Sequence, residues 1–497
     1  MRCKMLFFFA ASFVYNSFSL NAAEYTYNYN NNCSKAYEYY MSLHFTEANA
    51  IIYEEIKANP YNLMATYLSD YDDCLLLLMN CNKVDYDQRK DHLDERIALL
   101  DKGDKNSPWY RFCKAGIYLH WALVRMRFDE KFKAATTFRK SYLLLKENEE
   151  LFPDFEYNKV FFGLEETVVG TIPDNYKWIA SIFGLKGNVR KGVGKLSGFI
   201  NAHNNQDPLR LEAVVYYAYL KFYLLSQQPD VWNFLNSSEF STHNDLLRTF
   251  VKSNIAVNYR KADAAIAILQ SASLEKNYSK YPIFDYEMGS ALLDKLDPSC
   301  INYFQRYLKE NNSNIYIKDT WQKMALAYYL EANIPRASYC REQIKKGGNA
   351  QVDADKQAER FGESTVWPNN TLLQARLLLD GGYYNQALDK LNKINESSLK
   401  DIGDKLEYLF RLGRVYDEMG NENKALSYYQ SAINVGKDRP EHFAARAALQ
   451  MGFVYEHEGK MNDAISKYQE CLNMHNHDFQ SSIDQQAKAG INRLENK

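Results

Sequence analysis

The chain is poor in the residues that turn a backbone. It holds 22 glycines and 11 prolines in 497 residues, about half the combined share of about 12% in ordinary proteins. Strands need a turn every few residues, so an all-β sandwich or barrel is excluded and long helices with short connections are implied. An excess of one charge is missing too: 60 basic side chains face 62 acidic ones, a formal charge of −2. No phosphate-binding polycation is hidden in that balance, so nucleic acid is not an expected partner. After the first residues there is no apolar run of the roughly 20 residues that a membrane-spanning helix needs. Catalytic signatures are lacking as well. There is no Gly-x-Ser-x-Gly elbow and no dinucleotide fingerprint, and His457-Glu458 lacks the second histidine of a zinc-protease helix. Apolar and aromatic residues are plentiful: 46% of the chain is hydrophobic, with 39 tyrosines and 27 phenylalanines. That balance rules out wholesale disorder.

Met1-Arg2-Cys3-Lys4-Met5 is followed by an apolar stretch from Leu6 to Val14 and a polar one ending Asn21-Ala22-Ala23. A positive start, a short greasy core and small residues at a cut site read as a secretory signal peptide over residues 1–23, cleaved after Ala23. The alternative is an uncleaved anchor, the one case in which membrane association is expected. Cys33 follows Asn30-Asn31-Asn32 rather than the small-residue box of a lipoprotein. Residues 24–34, rich in Tyr and Asn, are expected to form a flexible lead-in. The mature chain keeps Cys33, Cys74, Cys81, Cys113, Cys300, Cys340 and Cys471, an odd and sparse set that is no disulfide framework. Cys74 and Cys81 share a helix face but lie about 10 Å apart, too far to bridge. Most of the cysteines read as small buried hydrophobes, while a bond from Cys33 to a later cysteine stays open in an oxidising compartment.

The last third of the chain repeats itself. One copy reads Leu412-Gly413-x-x-Tyr416, Gly420 and Ala425-x-x-x-Tyr429-x-x-Ala432; the next reads Met451-Gly452-x-x-Tyr455, Gly459 and Ala464-x-x-x-Tyr468-x-x-Cys471. Upstream, Ala375-x-x-Leu378, Gly382 and Ala387-x-x-x-Leu391-x-x-Ile394 keep the same internal distances. Spacings of three, four and seven mark one helix face, so each copy is two helices with a glycine turn between them. A lone helix pair leaves an apolar face bare, and copies must stack to bury it. On these residues, and on Trp321-x-x-Met324-Ala325-x-x-Tyr328 with Ala337 beyond, the chain resembles a tetratricopeptide repeat (TPR) protein. The expected fold is all-α, an α-solenoid of TPR-like helical hairpins. The repeats proper occupy residues 315–497. Degenerate hairpins fill 35–160, as in Ala48-x-x-x-Ile52 before Pro60 and Ala134-x-x-x-Phe138-x-x-Ser141, and diverged repeats fill 201–314. Between them, residues 161–200 form a Gly/aromatic connecting block that carries Phe161-Phe162-Gly163-Leu164, Ile172-Pro173 and Ile182-Phe183-Gly184-Leu185. This block is similar to part of the tetratricopeptide repeat protein 39 family, a likeness that implies shared architecture.

Candidate chemistry is sparse. Gly194-Lys195 has Val189 and Leu196 where a P-loop requires glycine and Ser or Thr, so the glycines at 184, 187, 192, 194 and 198 read as helix ends and a turn. Cys471, His475 and His477 lack the remaining ligands of a structural zinc site. Cys113 and His120, seven apart, match no cysteine-hydrolase signature. No cofactor, metal or enzymatic activity is expected. What remains is a surface for a protein or peptide partner. The family resemblance implies a groove lined by the first helix of each repeat, and its offsets select Tyr329, Leu372, Arg376, Phe410, Arg414, Leu449 and Phe453. Aromatics and arginines are common anchors of such contacts. Phe410 and Arg414 stand where the carboxylate-clamp subclass carries Lys and Asn, which disfavours a chaperone tail. The expected role is a non-enzymatic, exported scaffold in the periplasm or cell envelope of a Gram-negative bacterium. The alternative is a carbohydrate- or lipid-binding helical module.

Overall fold

The computed structural model describes residues 24–172, 184–225, 227–350 and 352–495. The signal segment 1–23 and residues 173–183 of the glycine-rich block, with Pro173, Ile182 and Phe183, lie outside the described residues. The described residues form α-helices with two isolated β-bridges, Thr26 with Asn62 and Asn82 with Ser313. The fold is all-α.

Eight antiparallel helix pairs share one construction. They are Asn31–Met41 with Phe45–Ala58, Pro108–Arg127 with Lys131–Leu151, Leu246–Asn258 with Ala262–Ala272, and Ile283–Asp294 with Cys300–Glu310. The other four are Ile317–Leu330 with Ile334–Ile344, Asn370–Gly381 with Tyr384–Leu391, Ile402–Glu418 with Glu422–Gly436, and Phe443–His457 with Met461–Leu472. In each, the chain leaves the first helix through one residue at positive φ: Leu43, Asp129, Arg260, Leu296, Ala332, Gly382, Gly420 or Gly459. The N–H of the following residue donates to the carbonyl five residues back, at 2.8–2.9 Å in every pair. This is the Schellman closure, which satisfies carbonyls that the ending helix would leave bare.

Packing follows the same register. Seven residues before the turn sits a small side chain: Ala36, Ala122, Ser253, Gly289, Ala325, Ala375, Gly413 or Gly452. Five residues after it, seven of the eight pairs bury an alanine. The small residue admits a bulky one from the second helix. A Cβ on Gly413 would run into the Tyr429 ring, one on Gly452 into Tyr468, and one on Gly289 into Phe304. The two tyrosines then reach back, donating to Asp417 and Glu456, at 2.8 Å each.

One expectation needs correction. Residues 24–34 are not a loose lead-in. Thr26 exchanges backbone bonds with Tyr61 and Leu63 at 2.9 and 2.8 Å, and Tyr25, Tyr27 and Tyr29 pack on the core. The asparagines cage a carboxylate: Asn30, Asn32, Asn59 and Asn62 donate to Glu55 at 2.7–3.0 Å. Burial opposes the Glu55 charge, but these amides outweigh it and lower its pKa. The core is continuous across the boundaries at 160, 200 and 314: one cluster of buried side chains runs from Cys33 to Leu377. In a linear stack each repeat touches only its neighbours, whereas here Tyr281 donates to the Leu43 carbonyl at 2.8 Å and Tyr71 to Glu212 at 2.6 Å. From the Asn370–Gly381 helix onward the core splits into smaller clusters, around Leu372–Val415 and Leu409–Leu494. Finally, Cys33 is buried and free, as are the other six described cysteines, so it forms no disulfide.

The glycine block is a close helix crossing. Helices Asn158–Gly170 and Val189–Ala202 approach until Gly192 lies on the Gly163 carbonyl and Thr167. Lys195 is paired with Glu149 at 2.7 Å and Glu166 at 3.3 Å.

Candidate functional site

The groove candidates divide by position. Leu372, Phe410 and Leu449, three residues before the small residue of their repeats, are core residues at 0%, 5% and 2% exposure. Phe410 packs against Tyr429 and Phe443 at 6.1 and 5.7 Å between ring centres. A side chain consumed by the neighbouring repeat cannot anchor a partner, so these three leave the candidate surface. Tyr329 is also occupied: it stacks on Trp367 at 4.8 Å and donates to the Pro368 carbonyl at 3.0 Å. Arg376, Arg414 and Phe453, one residue after the small one, share one register position and so one helix face. Of these, Arg414 is buried and pinned, donating to Asp417, Gln450 and Glu418 at 3.2, 2.6 and 2.5 Å. Phe453 is half-buried with its ring edge-on to Tyr468 at 5.7 Å, and Arg376 is half-buried.

That face carries two further arginines that the carried-over offsets passed over. Arg411 lies one turn before Arg414 and is held by Glu407 at 3.1 Å. Arg446 lies near the start of the next repeat's first helix, half-buried, with its Nε lacking any partner. Burial lowers the pKa of Arg446, and Arg411 and Arg414 lower it further. His442 stands among the same side chains. Burial, and then the charges of Arg446, Arg411, His477 and Arg376, push its imidazole down to about 3. Phe479 joins this ground from the far end of the array, under Arg360 at 4.7 Å and edge-on to His442 at 5.0 Å. The arrangement is a cationic strip crossing three successive first helices.

A second feature is an open groove of about 500 Å³ beside the Trp321 hairpin. Trp321, Met324, Tyr328, Tyr339 and Leu308 form its apolar wall, with Gln305, Lys309 and Arg336 around it and no carboxylate in the lining.

The remaining candidates fall into the packing. Cys113 is fully buried and burial alone raises its thiol pKa, which leaves no thiolate. His120 does not face it. Its ring sits between Asp70 Oδ2 at 2.9 Å and Glu212 Oε1 at 3.3 Å, in a buried network that includes Trp121, Tyr71 and Arg96. Among the described residues no group of three His, Cys, Asp or Glu side chains could hold a metal ion. His475 and His477 engage Gln480 and the Asp478 carbonyl instead.

Residues 409–442 match the tetratricopeptide repeat family. The other seven helix pairs share the turn and the small-residue position of that hairpin. No curated protein matches the chain, and the similarity of residues 161–199 to the tetratricopeptide repeat protein 39 family is not confirmed by any match. Among solved structures it is similar to the apo form of the quorum sensor NprR from B. thuringiensis, at 15% identity and TM-score 0.29 over 81% of this chain and 97% of that one. It is also similar to the human IFIT1 dimer with m7Gppp-AAAA, at 15% identity and TM-score 0.28 over 81% of each chain. The APC/C hetero-tetramer Cut9-Hcn1 follows, at 12% identity and TM-score 0.27 over 92% and 95%. Superpositions this loose leave the repeat register itself as the description of the fold.

Proposed function

We propose that this chain is a non-enzymatic scaffold, exported to the cell envelope of a Gram-negative bacterium, that holds a protein partner on the outward face of its first helices. The single observation behind this reading is the repeat register. It sets Arg376, Arg414 and Phe453 at one equivalent position of three adjacent repeats, as a surface for an extended partner requires. Aromatic and arginine anchors on a rigid scaffold suit protein recognition. Export rests on the basic start, the apolar stretch from Leu6 to Val14 and the Ala22-Ala23 end of residues 1–23. The test is a photo-crosslinking residue at position 453, introduced in the native cell. A specific protein adduct in the envelope fraction is expected, and the absence of any protein adduct refutes the reading.

A second reading is favoured by the Trp321 groove. Its aromatic wall and free space of about 500 Å³ suit a sugar or acyl ligand. Binding of glycans or lipids that Trp321→Ala abolishes, with position-453 adducts unchanged, would support it.

A further inference from the structure

We propose that the strip of Arg376, Arg411 and Arg446 selects an acidic segment of the partner, one that presents carboxylate side chains at a regular spacing. This rests on the scaffold reading above and adds the chemistry of what is held.

The argument is one of unmatched charge. Four of the nine arginines in residues 315–497 have a carboxylate of their own: Arg411 has Glu407, Arg414 has Asp417 and Glu418, Arg439 has Glu441 and Arg493 has Glu456. Arg336, Arg341 and Arg360 lie over aromatic rings instead. Arg376 and Arg446 meet no carboxylate within ion-pair distance among the described residues. Asp380 attracts Arg446 at longer range, and Asp294 feels Arg376, but neither makes a pair. Half-buried Arg446 is repelled by Arg411 and Arg414, which raises the energy of the free protein. His442 lies in the same field: burial first, and then the charges of Arg446, Arg411, His477 and Arg376, hold its imidazole neutral. Polar atoms at the site also lack partners, namely Arg446 Nε and His477 Nε2, the latter in a residue only 8% exposed. A carboxylate placed there would relieve the repulsion and accept from free donors, and guanidinium groups bind carboxylates in a two-pronged geometry.

The spacing favours a polypeptide over a small anion. The three arginines lie on or beside three successive packed first helices, and packed helices stand about 8–10 Å apart. That is about three residues of extended chain at about 3.3 Å each, so a partner strand would offer Asp or Glu at about every third position. A nucleic acid is disfavoured by the −2 balance of the whole chain and by the carboxylates of Glu407, Asp417 and Glu418 interleaved with the arginines.

The experiment uses the full chain and a fluorescent dodecapeptide with glutamate at every third position, Gly and Ser elsewhere, against the same peptide with glutamine. The glutamate peptide should bind at least about tenfold more tightly, and the preference should fade as salt rises. The double variant R376Q/R446Q should lose that preference. An NMR titration of His442 in R446Q should show its pKa moving up from about 3, which verifies a folded site. Equal binding of the two peptides, or an unchanged preference in the folded double variant, overturns the proposal. So does full competition by millimolar inorganic phosphate, which would mark a small-anion site, or tighter binding of oligouridylate. A protein adduct at position 453 without glutamate preference leaves the scaffold reading standing and sinks only this one; no adduct sinks the scaffold reading itself.

Discussion

Exchanging glycine and alanine between equivalent turns tests whether the left-handed residue is the shared hinge of every hairpin. Gly420 has φ +73°, and a Cβ built on it would meet nothing within 4 Å, so Gly420→Ala reports backbone conformation alone. An L-residue in that region costs about 1–2 kcal/mol, offset by about 0.4–1 kcal/mol because alanine loses less entropy on folding. The net expectation is a loss of about 1 kcal/mol. Gly382 differs: at φ +89° its Cβ would press on the Arg260 carbonyl, which is backbone and cannot swing away. Gly382→Ala should therefore cost about 1–3 kcal/mol more. Ala332 already sits at φ +58°, so Ala332→Gly should stabilise its hairpin by up to about 1 kcal/mol. Urea unfolding followed by circular dichroism would rank the three variants. Hydrogen exchange would show whether each effect is confined to its own repeat, because repeat arrays open locally. Equal losses at Gly420 and Gly382, or a destabilised Ala332→Gly, would refute the reasoning.

Two other perturbations address the buried polar networks. Burial would lower the His120 pKa, but its bonds to Asp70 and Glu212 raise it from 6.5 to about 9. A folded pKa above the unfolded one means stability that is whole below about pH 6.5 and fades as pH climbs through about 9, roughly 3 kcal/mol in all. Urea midpoints should fall over that window in the wild type. His120→Gln should remove the dependence while costing about 3–5 kcal/mol near neutrality, since buried Glu212 loses its cation and Asp70 keeps only Arg96; a fall that persists in the variant would assign it elsewhere. Glu55→Ala strands four asparagine amides and should cost about 2–3 kcal/mol. It should also expose residues 26–32 to hydrogen exchange, and unchanged protection would count against the cage.

The glycine motif was readable at Gly382, Gly420 and Gly459 because glycine is the usual occupant of a left-handed cap. At Leu43, Asp129, Arg260 and Leu296 the same conformation is taken by residues that announce nothing. This is why the first half looked degenerate although its hairpins have the same closure. The offsets taken from the family resemblance selected one register position at Arg376, Arg414 and Phe453. They also selected Leu372, Phe410 and Leu449, because an apolar side chain on a helix reads the same whether it faces a partner or the next repeat. Arg446 was missed for the opposite reason: nothing in its local pattern marks it as unpaired. The asparagines of the lead-in looked like solvated chain until Glu55, more than twenty residues on, closed around them.

The sequence by itself determined the helical hairpin, its small-residue contact and the stacking of the last repeats, since these depend on residues within about 40 positions of one another. Tertiary structure alone decided the rest. The pairing of His120 with Asp70 and Glu212, the closing of Tyr281 on Leu43, and the gathering of Arg376, Arg411 and Arg446 around His442 join side chains far apart along the chain. Periodicity shows which face of a helix is apolar. Which charges end up without a partner is set only when the helices are packed.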